Sequence, residues 1–323
     1  DVELFAIPVT AGRIYRVEET TATDVYIALF SNSSTLLAWR DPESHTFRAE
    51  ATETLYFGVQ QYSGFGKSFA AKVTDLGTDD HSDAMAGATP LAPTAAGAEA
   101  TGVFQFDGDP DVFAIPVVAQ RIYRLEETSS ADVRIRAFTA TATLLAWVDG
   151  PESFTFRANE TGTVYLAVAQ YSGFGSSFTV KATDLGLDDH GDAMAGATPL
   201  APTAAGAEAT GVFQFPGDTE VFAVPVVAGR IYRVEETAPV DVWVKVYTAS
   251  TTLLAWTDTP ESFTWKSAAN ETVYFAVLQY SGFGGSFVAK AVDLGLDDFG
   301  DSPASATLVA MGSTTTGSFQ FPN

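Results

Sequence analysis

Residues 132–138 read Asp-Val-Arg-Ile-Arg-Ala-Phe, a stretch in which apolar and polar side chains alternate with a period of two. Val133 and Ile135 alternate with Arg134 and Arg136. Successive side chains of a β-strand point to opposite faces of its sheet, so this period predicts a strand with one buried and one solvated face. A helix would instead repeat its apolar positions about every 3.6 residues.

The same alternation continues through residues 153–157 and 177–182, and clusters of Gly, Pro, Asn and Ser separate the alternating segments. No stretch has a convincing helical period. Eight short strands over this length are typical of a two-sheet antiparallel sandwich of jelly-roll-like form. Residues 188–211 are rich in Ala, Thr, Pro and Gly and are expected to form an irregular lead-in to a first strand. We expect the eight strands of the central domain near 102–106, 111–118, 121–127, 132–138, 142–147, 153–158, 163–170 and 177–183.

The whole pattern is repeated along the chain. Gln-Tyr-Ser-Gly-Phe-Gly occurs at 61–66, 170–175 and 279–284, with a spacing of 109 residues each time. A unit of this length has the size of a domain and far exceeds the repeat of a solenoid. We therefore predict an all-β chain of tandem antiparallel β-sandwich domains joined as beads on a string. The predicted ranges are 1–78 for a first sandwich that lacks its opening strand, 79–187 and 188–296 for two further sandwiches, and 297–323 for a C-terminal donor segment.

Charge and composition exclude several partners. The chain has 17 basic and 40 acidic residues, a net charge of −23, and such a surface repels nucleic acid and anionic membranes while attracting divalent cations. No run of 18 apolar residues is present, so no membrane insertion is expected. The chain contains no Cys, so a disulfide cannot stabilise the fold, and core packing and a metal ion are left as stabilisers.

Two acidic motifs recur with the repeat. One is Asp-Asp-His/Phe-Gly/Ser-Asp, and the other, at a predicted turn between two strands, is Gly-Asp-x-Asp/Glu. If both loops meet at one end of a sandwich, their oxygen atoms would supply the roughly six to eight oxygen ligands that calcium takes. The alternative is a solvated acidic linker that keeps the domains soluble. The residues concerned are Asp79, Asp80, Asp83, Asp109 and Asp111, then Asp188, Asp189, Asp192, Asp218 and Glu220, then Asp297, Asp298 and Asp301, and Asp1 and Glu3.

Zinc is disfavoured because Phe299 takes the place of the His in the third copy of the first motif, and because the chain has three scattered His and no Cys. The sequence from Asp-Asp-His-Gly-Asp through Ala-Thr-Pro-Leu and Gly-Val-Phe-Gln-Phe to Ala-Gly-Arg-Ile-Tyr resembles bacterial pre-peptidase C-terminal domains. This resemblance implies a secreted β-sandwich, often calcium-binding, that is appended to exported enzymes and surface proteins. It implies a secreted, extracellular or cell-surface location here. No peptidase domain accompanies the repeats.

Catalytic constellations are lacking in the sequence. No Ser, His and Asp set recurs, and no Gly-rich phosphate loop follows a strand and opens a helix. We expect the protein not to be an enzyme. The aromatic residues of the repeated loop, and Trp39 with its copies Trp147 and Trp256, are expected to pack in the core at one end of each sandwich. Stacking on glycan rings is the alternative, and the loop residues concerned are Tyr62, Phe65, Tyr171, Phe174, Tyr280 and Phe283.

The two ends of the chain match each other. The last residues, Phe-Gln-Phe-Pro-Asn, written before the first, Asp-Val-Glu-Leu-Phe-Ala, align without a gap with the internal junction Phe-Gln-Phe-Pro-Gly-Asp-Thr-Glu-Val-Phe-Ala at 213–223 and differ from it only in Asn for Gly, Val for Thr and Leu for Val. The sequence therefore predicts that the C-terminal strand completes a first domain by strand addition. Calcium would be held there by Asp1 and Glu3 together with the third acidic motif. The assembly residues are Val2, Leu4, Phe5, Phe319 and Phe321.

Three arrangements remain open at this point. Donation between copies is head-to-tail and gives an extracellular filament or surface fibre, a homopolymer of this subunit. Donation within one chain gives a closed ring. The chain could also be an excised region of a longer tandem array that acts as a glycan- or protein-binding accessory or spacer module. We expect the filament, because residues 302–318 diverge from the corresponding residues of the other copies.

Overall fold

The computed structural model describes residues 2–21, 23–41, 44–64, 66–150, 152–258 and 261–321. It is all-β, with six sheets that form three tandem sandwich-like domains. In the described residues the helical elements are two 3-10 turns, Met85–Gly87 and Met194–Gly196. No helix within these ranges has the length and apolar character needed to cross a membrane.

The first domain pairs a four-stranded sheet, in the order β1-β6-β3-β4, with a three-stranded sheet, in the order β5-β2-β7. The strand pairs β1–β6, β3–β6, β3–β4, β2–β5 and β2–β7 are all antiparallel. The strands are β1 Val2–Val9, β2 Arg13–Glu19, β3 Val25–Phe30, β4 Leu36–Arg40, β5 Ser44–Arg48, β6 Glu53–Gln61 and β7 Ala71–Thr78.

The second domain has one more strand in each sheet, with the orders β13-β12-β15-β10-β8 and β14-β11-β16-β9. The added strands are β8, which pairs parallel to β10, and β9, which pairs antiparallel to β16. The strands are β8 Thr89–Pro90, β9 Ala98–Val103, β10 Pro110–Val117, β11 Arg121–Ser129, β12 Val133–Thr139, β13 Leu144–Val148, β14 Ser153–Arg157, β15 Gly162–Gln170 and β16 Ser177–Leu187.

The third domain repeats the second, with the orders β17-β19-β24-β21-β22 and β18-β25-β20-β23. Beyond it, the structure assigns no strand within residues 297–321. The strands are β17 Thr198–Pro199, β18 Ala207–Val212, β19 Thr219–Val226, β20 Arg230–Thr237, β21 Val242–Tyr247, β22 Leu253–Thr257, β23 Ser262–Lys266, β24 Glu271–Gln279 and β25 Ser286–Leu296.

Each core lies between the two sheets of its domain and is built from the inward positions of alternating strands. In β12, Val133, Ile135 and Ala137 are buried while Arg134 and Arg136 are not. The alternation that predicted this strand is therefore confirmed. A buried Tyr in each domain accepts a hydrogen bond from the turn that precedes its strand. In the second domain, the Val118 N–H donates to the Tyr123 hydroxyl at 2.9 Å.

The predicted all-β tandem sandwich fold is confirmed, with differences in detail. The opening strand of the central domain, predicted at 102–106, runs over Ala98–Val103, because Phe104 then turns into the core at 0% exposure. The strand predicted to end at 183 continues to Leu187. Thr198–Pro199 and Ala207–Val212 form strands within the segment that was predicted to be irregular. The domain boundaries taken from the repeat stay predictions.

Candidate metal centres

The first acidic motif of the second domain begins where strand β7 ends, with Asp79 directly after Thr78. Its loop is fixed by two hydrogen bonds of Asp80. The Val103 N–H donates to Asp80 Oδ2 at 2.9 Å, and the Asp80 N–H donates to Gln105 Oε1 at 3.2 Å. These bonds hold the acidic loop against the segment that follows strand β9.

The third domain has the same arrangement. The Val212 N–H donates to Asp189 Oδ2 at 2.9 Å, and the Asp189 N–H donates to Gln214 Oε1 at 3.3 Å. The glutamines were not predicted as part of the site, although Gln105 and Gln214 are themselves 109 residues apart. Their recurrence in the Phe-Gln-Phe motif was the signal that could have identified them.

The second acidic motif is shaped by a tight turn. Gly108 and Gly217 adopt φ values of 81° and 82°, which L side chains rarely tolerate. The turn lets the carboxylate of Asp109 accept a hydrogen bond from the Gln105 N–H at 2.6 Å, while Asp218 accepts one from Gln214 at 2.5 Å. The chain then enters β10 or β19 with its next acidic side chain directed into the domain.

The two motifs of each complete domain come together. Carboxylate oxygens lie within 4.8 Å of one another in sets of three, Asp79 with Asp83 and Asp109, and Asp79 with Asp80 and Asp111. We name these five residues the first acidic cluster. The second acidic cluster contains the corresponding sets, Asp188 with Asp189 and Glu220, and Asp188 with Asp192 and Asp218. The predicted convergence of the two loops is thus observed for both clusters.

The innermost carboxylates of the clusters are buried without partners. Asp111 and Glu220 are 0% exposed, and neither oxygen of either side chain has a hydrogen-bond partner among the described residues. Asp109 and Asp218 are also buried, and each has one oxygen without a partner. A buried carboxylate without a partner is costly unless a proton or a cation neutralises it, so these clusters could hold a metal ion.

Burial also perturbs the acidity of these groups. Removal from water raises the pKa of Asp111 to about 9, and the neighbouring Asp109 and Asp80 act in the same direction. Burial and the adjacent Asp218 raise the pKa of Glu220 to about 10. The pKa values of Asp109 and Asp218 rise to about 7 and about 8, again chiefly through burial. Without a bound cation, such a cluster retains protons at neutral pH.

One basic side chain faces each cluster. Arg48 of β5 lies 3.1 Å from Asp79 Oδ2 and 2.7 Å from Asp83 Oδ1. Arg157 of β14 pairs in the same way with Asp188 and Asp192. The sequence interpretation missed both arginines, although they are 109 residues apart. One guanidinium cannot neutralise five carboxylates, so protons or a metal ion must supply the remaining neutralisation.

The oxygen-only character of the clusters suits calcium. Hard carboxylate oxygens from two loops are the ligands that Ca²⁺ takes. The nearby imidazole of His81 is engaged elsewhere, with Nδ1 2.7 Å from Thr89 Oγ1 and Nε2 3.0 Å from the Thr101 carbonyl oxygen. His190 is held in the same way. The predicted absence of His from the metal-ligand set is consistent with this geometry.

The third acidic motif forms only half of such a cluster. The Ser318 N–H donates to Asp298 Oδ2 at 2.8 Å, and the Asp298 N–H donates to Gln320 Oε1 at 3.1 Å. Lys266 Nζ lies 2.8 Å from Asp297 and 2.7 Å from Asp301. Hydrogen bonding to Lys266 lowers the pKa of Asp297, opposite to its raised counterpart Asp188. No acidic pair from a following strand joins the motif within the described residues.

In the alignment of the repeats, Asp1 and Glu3 stand at the positions of Asp109 and Asp111. Asp1 lies outside the described residues. Glu3 is exposed on β1, whereas its repeat counterparts Asp111 and Glu220 are fully buried. Among the predicted assembly residues, Val2, Leu4 and Phe5 are 47%, 59% and 38% exposed.

The predicted assembly residues at the other end of the chain are also exposed, though not equally. Phe319 is fully exposed, whereas Phe104 and Phe213, which occupy the same position in the complete domains, are 0% exposed. Phe321 is half-buried, and its ring lies 5.7 Å from Lys266 Nζ. The ring of Phe215, its counterpart, faces Arg157 at 5.4 Å.

The predicted burial of the repeated aromatic residues in the core is wrong. The loop residues Tyr62, Tyr171, Phe174, Tyr280 and Phe283 are 43–56% exposed, and Phe65 lies outside the described residues. The tryptophans Trp39, Trp147 and Trp256 are 56–61% exposed. They stand on edge strands whose small central residue faces inward, as Ala38 does in β4.

The exposed rings form surface clusters. The Tyr26 ring lies 4.6 Å from Trp39 and 5.0 Å from Tyr62, measured between centroids. In the third domain, the Trp243 ring lies 5.7 Å from Trp256 and 5.1 Å from Tyr280. In the second domain, Arg134 stacks 3.7 Å above the Tyr171 ring.

Comparison with known proteins gives only distant similarity. No protein-family model matches the chain, and no curated protein matches it. The chain is similar to a periplasmic inhibitor of g-type lysozyme, PliG of Aeromonas hydrophila, with 14% identity over 30% of this chain and 97% of that chain and a TM-score of 0.25. It is similar to the CUB1-EGF-CUB2 domain of human MASP-1/3, with 10% identity over 60% and 99% of the two chains and a TM-score of 0.21.

A third similar structure is the triple jelly roll protein of an archaeal virus turret, with 9% identity over 90% of this chain and 81% of that chain and a TM-score of 0.18. At these TM-scores, the similarities give no information on function. The comparisons therefore identify distant β-sandwich neighbours and assign no family.

Proposed function

We propose that the protein is a structural, non-enzymatic subunit of an extracellular filament or surface fibre. In this proposal, the incomplete first domain of one copy accepts the segment 297–321 of another copy, and calcium stabilises the acidic clusters. The three domains would then be of the pre-peptidase C-terminal type that the sequence resembles. The observation that carries the proposal is a cavity in the first domain at the position that a Phe fills in the other two.

This cavity has a volume of about 290 Å³, and Val25, Val59 and Phe69 are among its lining residues. In the second domain, the counterpart of Phe69 is Phe178, and the Phe104 ring packs on it with centroids 4.6 Å apart. In the third domain, Phe213 packs on Phe287 at 4.9 Å. The cavity thus adjoins Phe69, the residue on whose counterparts a Phe ring packs in the other two domains.

The main chain beside the cavity is also available for pairing. Phe104 donates its N–H to the Ser176 carbonyl at 3.0 Å and accepts from the Gly175 N–H at 2.6 Å. The counterparts of these residues, Lys67 and Gly66, line the cavity and lie in no strand. An added Phe would find both hydrogen bonds there, as in other cases of β-strand addition.

Strand β7 is shortened on the same side. It begins at Ala71, whereas β16 begins at Ser177, whose repeat counterpart is Ser68. Residues 177–182 of β16 are the ones that pair with β9. Val73 is 41% exposed, whereas its counterpart Ala182 is fully buried. The first domain therefore presents the edge that β9 covers in the second.

The segment 297–321 has the features of the missing element. It carries Phe319 fully exposed at the position of Phe104, and Val309, at the position of the buried Leu91, is 50% exposed. Large exposed apolar side chains at these positions favour burial against a partner. A second copy supplies the matching partner, and head-to-tail donation of this kind propagates into a fibre.

The test is the assembly state of the purified chain in calcium, measured by light scattering after size exclusion and by negative-stain microscopy. We expect fibres from the unmodified chain and monomers from Phe319→Ser. Leu308→Ser is the matched control, because Leu308 is 96% exposed and its counterpart Pro90 remains exposed in a complete domain. Equal assembly of Phe319→Ser and the unmodified chain would refute strand donation.

A second candidate function is favoured by the exposed aromatic clusters. As part of a longer tandem array, in which a preceding repeat fills the first domain in the same chain, the protein would act as a glycan- or protein-binding spacer. Aromatic rings such as Trp39 and Tyr62 supply stacking surfaces. Polysaccharide pull-down with Trp39→Ser and Trp256→Ser variants tests this reading, and retention that these changes do not reduce would argue against it.

A further inference from the structure

We propose that the junction between two copies contains a calcium site, formed by Asp297, Asp298 and Asp301 of one copy and Glu3 of the next, and that this site makes assembly calcium-dependent. The inference rests on the strand donation proposed above. It adds that the ion is a component of the contact between copies, so that neither copy alone has the complete site.

The complete form of this site occurs twice within the same chain. In both acidic clusters, the position of Glu3 is taken by a side chain that is 0% exposed, Asp111 or Glu220, and has no hydrogen-bond partner. A carboxylate in that state is costly unless it is neutralised, and a Ca²⁺ ion held by the surrounding oxygens would neutralise it. The junction would therefore reproduce an arrangement that the chain already contains.

The acidic loop of segment 297–321 already has the hydrogen bonds that shape the loops of the complete clusters. Asp298 Oδ2 accepts the Ser318 N–H at 2.8 Å, as Asp80 accepts Val103 and Asp189 accepts Val212, both at 2.9 Å. The Asp298 N–H donates to Gln320, as the N–H groups of Asp80 and Asp189 donate to Gln105 and Gln214. The loop thus has the local geometry of the complete clusters, with its open side lacking only the acidic strand.

The other half lies at the cavity of the first domain. Glu3 is one of its lining residues, next to the place that an added Phe would fill. In the complete domains, the segment that ends at Phe104 also carries the acidic loop through Asp80, which is bonded to Val103. Insertion of Phe319 would for the same reason bring Asp298 toward Glu3.

Charge opposes this approach when no cation is present. Lys266 pairs with Asp297 and Asp301, and the Glu3 side chain is solvated on the free first domain. Joining the halves removes Glu3 from water and places it beside carboxylates of the same sign, which is unfavourable. A bound Ca²⁺ reverses the sign of the interaction and uses oxygen ligands only, since Phe299 stands where the other copies have a His.

The experiment is a calcium titration of assembly by light scattering, starting from chelated full-length chain. The unmodified chain should assemble with increasing Ca²⁺ and dissociate on addition of chelator. Glu3→Gln should raise the calcium midpoint at least about tenfold, because it removes a charged ligand. Glu53→Gln, at the opposite end of the same sheet, is the control and should leave the midpoint unchanged.

The outcomes separate the two proposals. Assembly that is equally complete in chelator, or a Glu3→Gln midpoint equal to that of the unmodified chain, would overturn the junction site and leave strand donation intact. Loss of assembly in Phe319→Ser at every calcium concentration supports strand donation separately. If the unmodified chain does not assemble at any calcium concentration, strand donation and the junction site both fail.

Discussion

The guanidinium of Arg48 lies 2.7 Å from Asp83 Oδ1 and so connects strand β5 of the first domain to the first acidic cluster. The pair is largely shielded from water, with 24% of each side chain exposed. It supplies the positive charge that the cluster has in the absence of a metal ion. A cation bound by the cluster would therefore contact the same carboxylates as Arg48.

Replacing Arg48 by Gln should weaken the metal-free protein and increase its response to calcium. Loss of charged hydrogen bonds to Asp79 and Asp83 should cost about 1–3 kcal/mol in chelator. The calcium-induced rise in melting temperature should become larger, because the ion then meets less competing charge. Arg16→Gln is the control, because it removes the half-exposed Arg16 guanidinium while Glu18 keeps Lys72 as a partner, and it should change neither value appreciably. Calorimetry with and without calcium measures both.

The metal-free protein should lose stability as pH rises from about 4 to about 9. Carboxyl groups of the unfolded chain titrate at about pH 4. In the folded chain, the pKa of Asp111 is raised to about 9 and that of Asp218 to about 8. Between these values the folded state holds protons that the unfolded state has released, so unfolding is favoured by increasing pH. Calcium stabilisation should grow over the same interval, since the ion binds deprotonated ligands. The measurement is thermal melting at about pH 5, 7 and 8.5, each in chelator and in calcium. If this assignment were wrong, the melting temperature would change with pH to the same extent in both conditions.

Asp111→Asn should separate the cost of the charge from the benefit of the ion. At pH above about 8, the variant should melt higher than the unmodified chain in chelator, because a neutral amide needs neither the proton uptake that the raised pKa of Asp111, about 9, imposes on folding nor a buried charge. It should gain less from calcium, because one charged ligand is absent. Asp149→Asn, at an exposed loop position, provides the control. Some pH dependence will persist, since burial also raises the pKa of Glu127 and Glu236 to about 7.

Gly102→Ala should test the close packing beneath the first acidic cluster. A Cβ at this position would lie 2.4 Å from Phe178 Cζ and 2.9 Å from His81 Cδ2. Overpacking of this kind costs about 1–3 kcal/mol. Gly162→Ala, which meets nothing within 4 Å, is the matched control and should be close to neutral. Chemical denaturation gives both free energies of unfolding, and similar values for the two variants would contradict the packing described.

Much of the fold followed from two periods in the sequence, the alternation within strands and the 109-residue repeat. The two-residue strands β8 and β17 were missed, because a Thr-Pro pair within an Ala- and Gly-rich run has no alternation to detect. Their pairing is set by the parallel neighbours β10 and β19, which are distant in sequence.

The sequence predicted the acidic residues of the candidate site but not its basic residues. The carboxylates stand in two short motifs, while Arg48, Arg157 and Lys266 come from strands far away in sequence that reach the motifs only after folding. The exposure of the tryptophans was also unpredictable, because Ala38 rather than its large neighbours Leu37 and Trp39 faces the core of the first domain. Hydrophobicity alone assigns the larger residues inward.

Strand β7 ends at Thr78, and Asp79 follows it without an intervening linker. A pull applied along the chain therefore reaches the first acidic cluster before any slack can extend. If the cluster binds a cation, the mechanical resistance of this connection is expected to rise with the cation concentration of the surrounding medium.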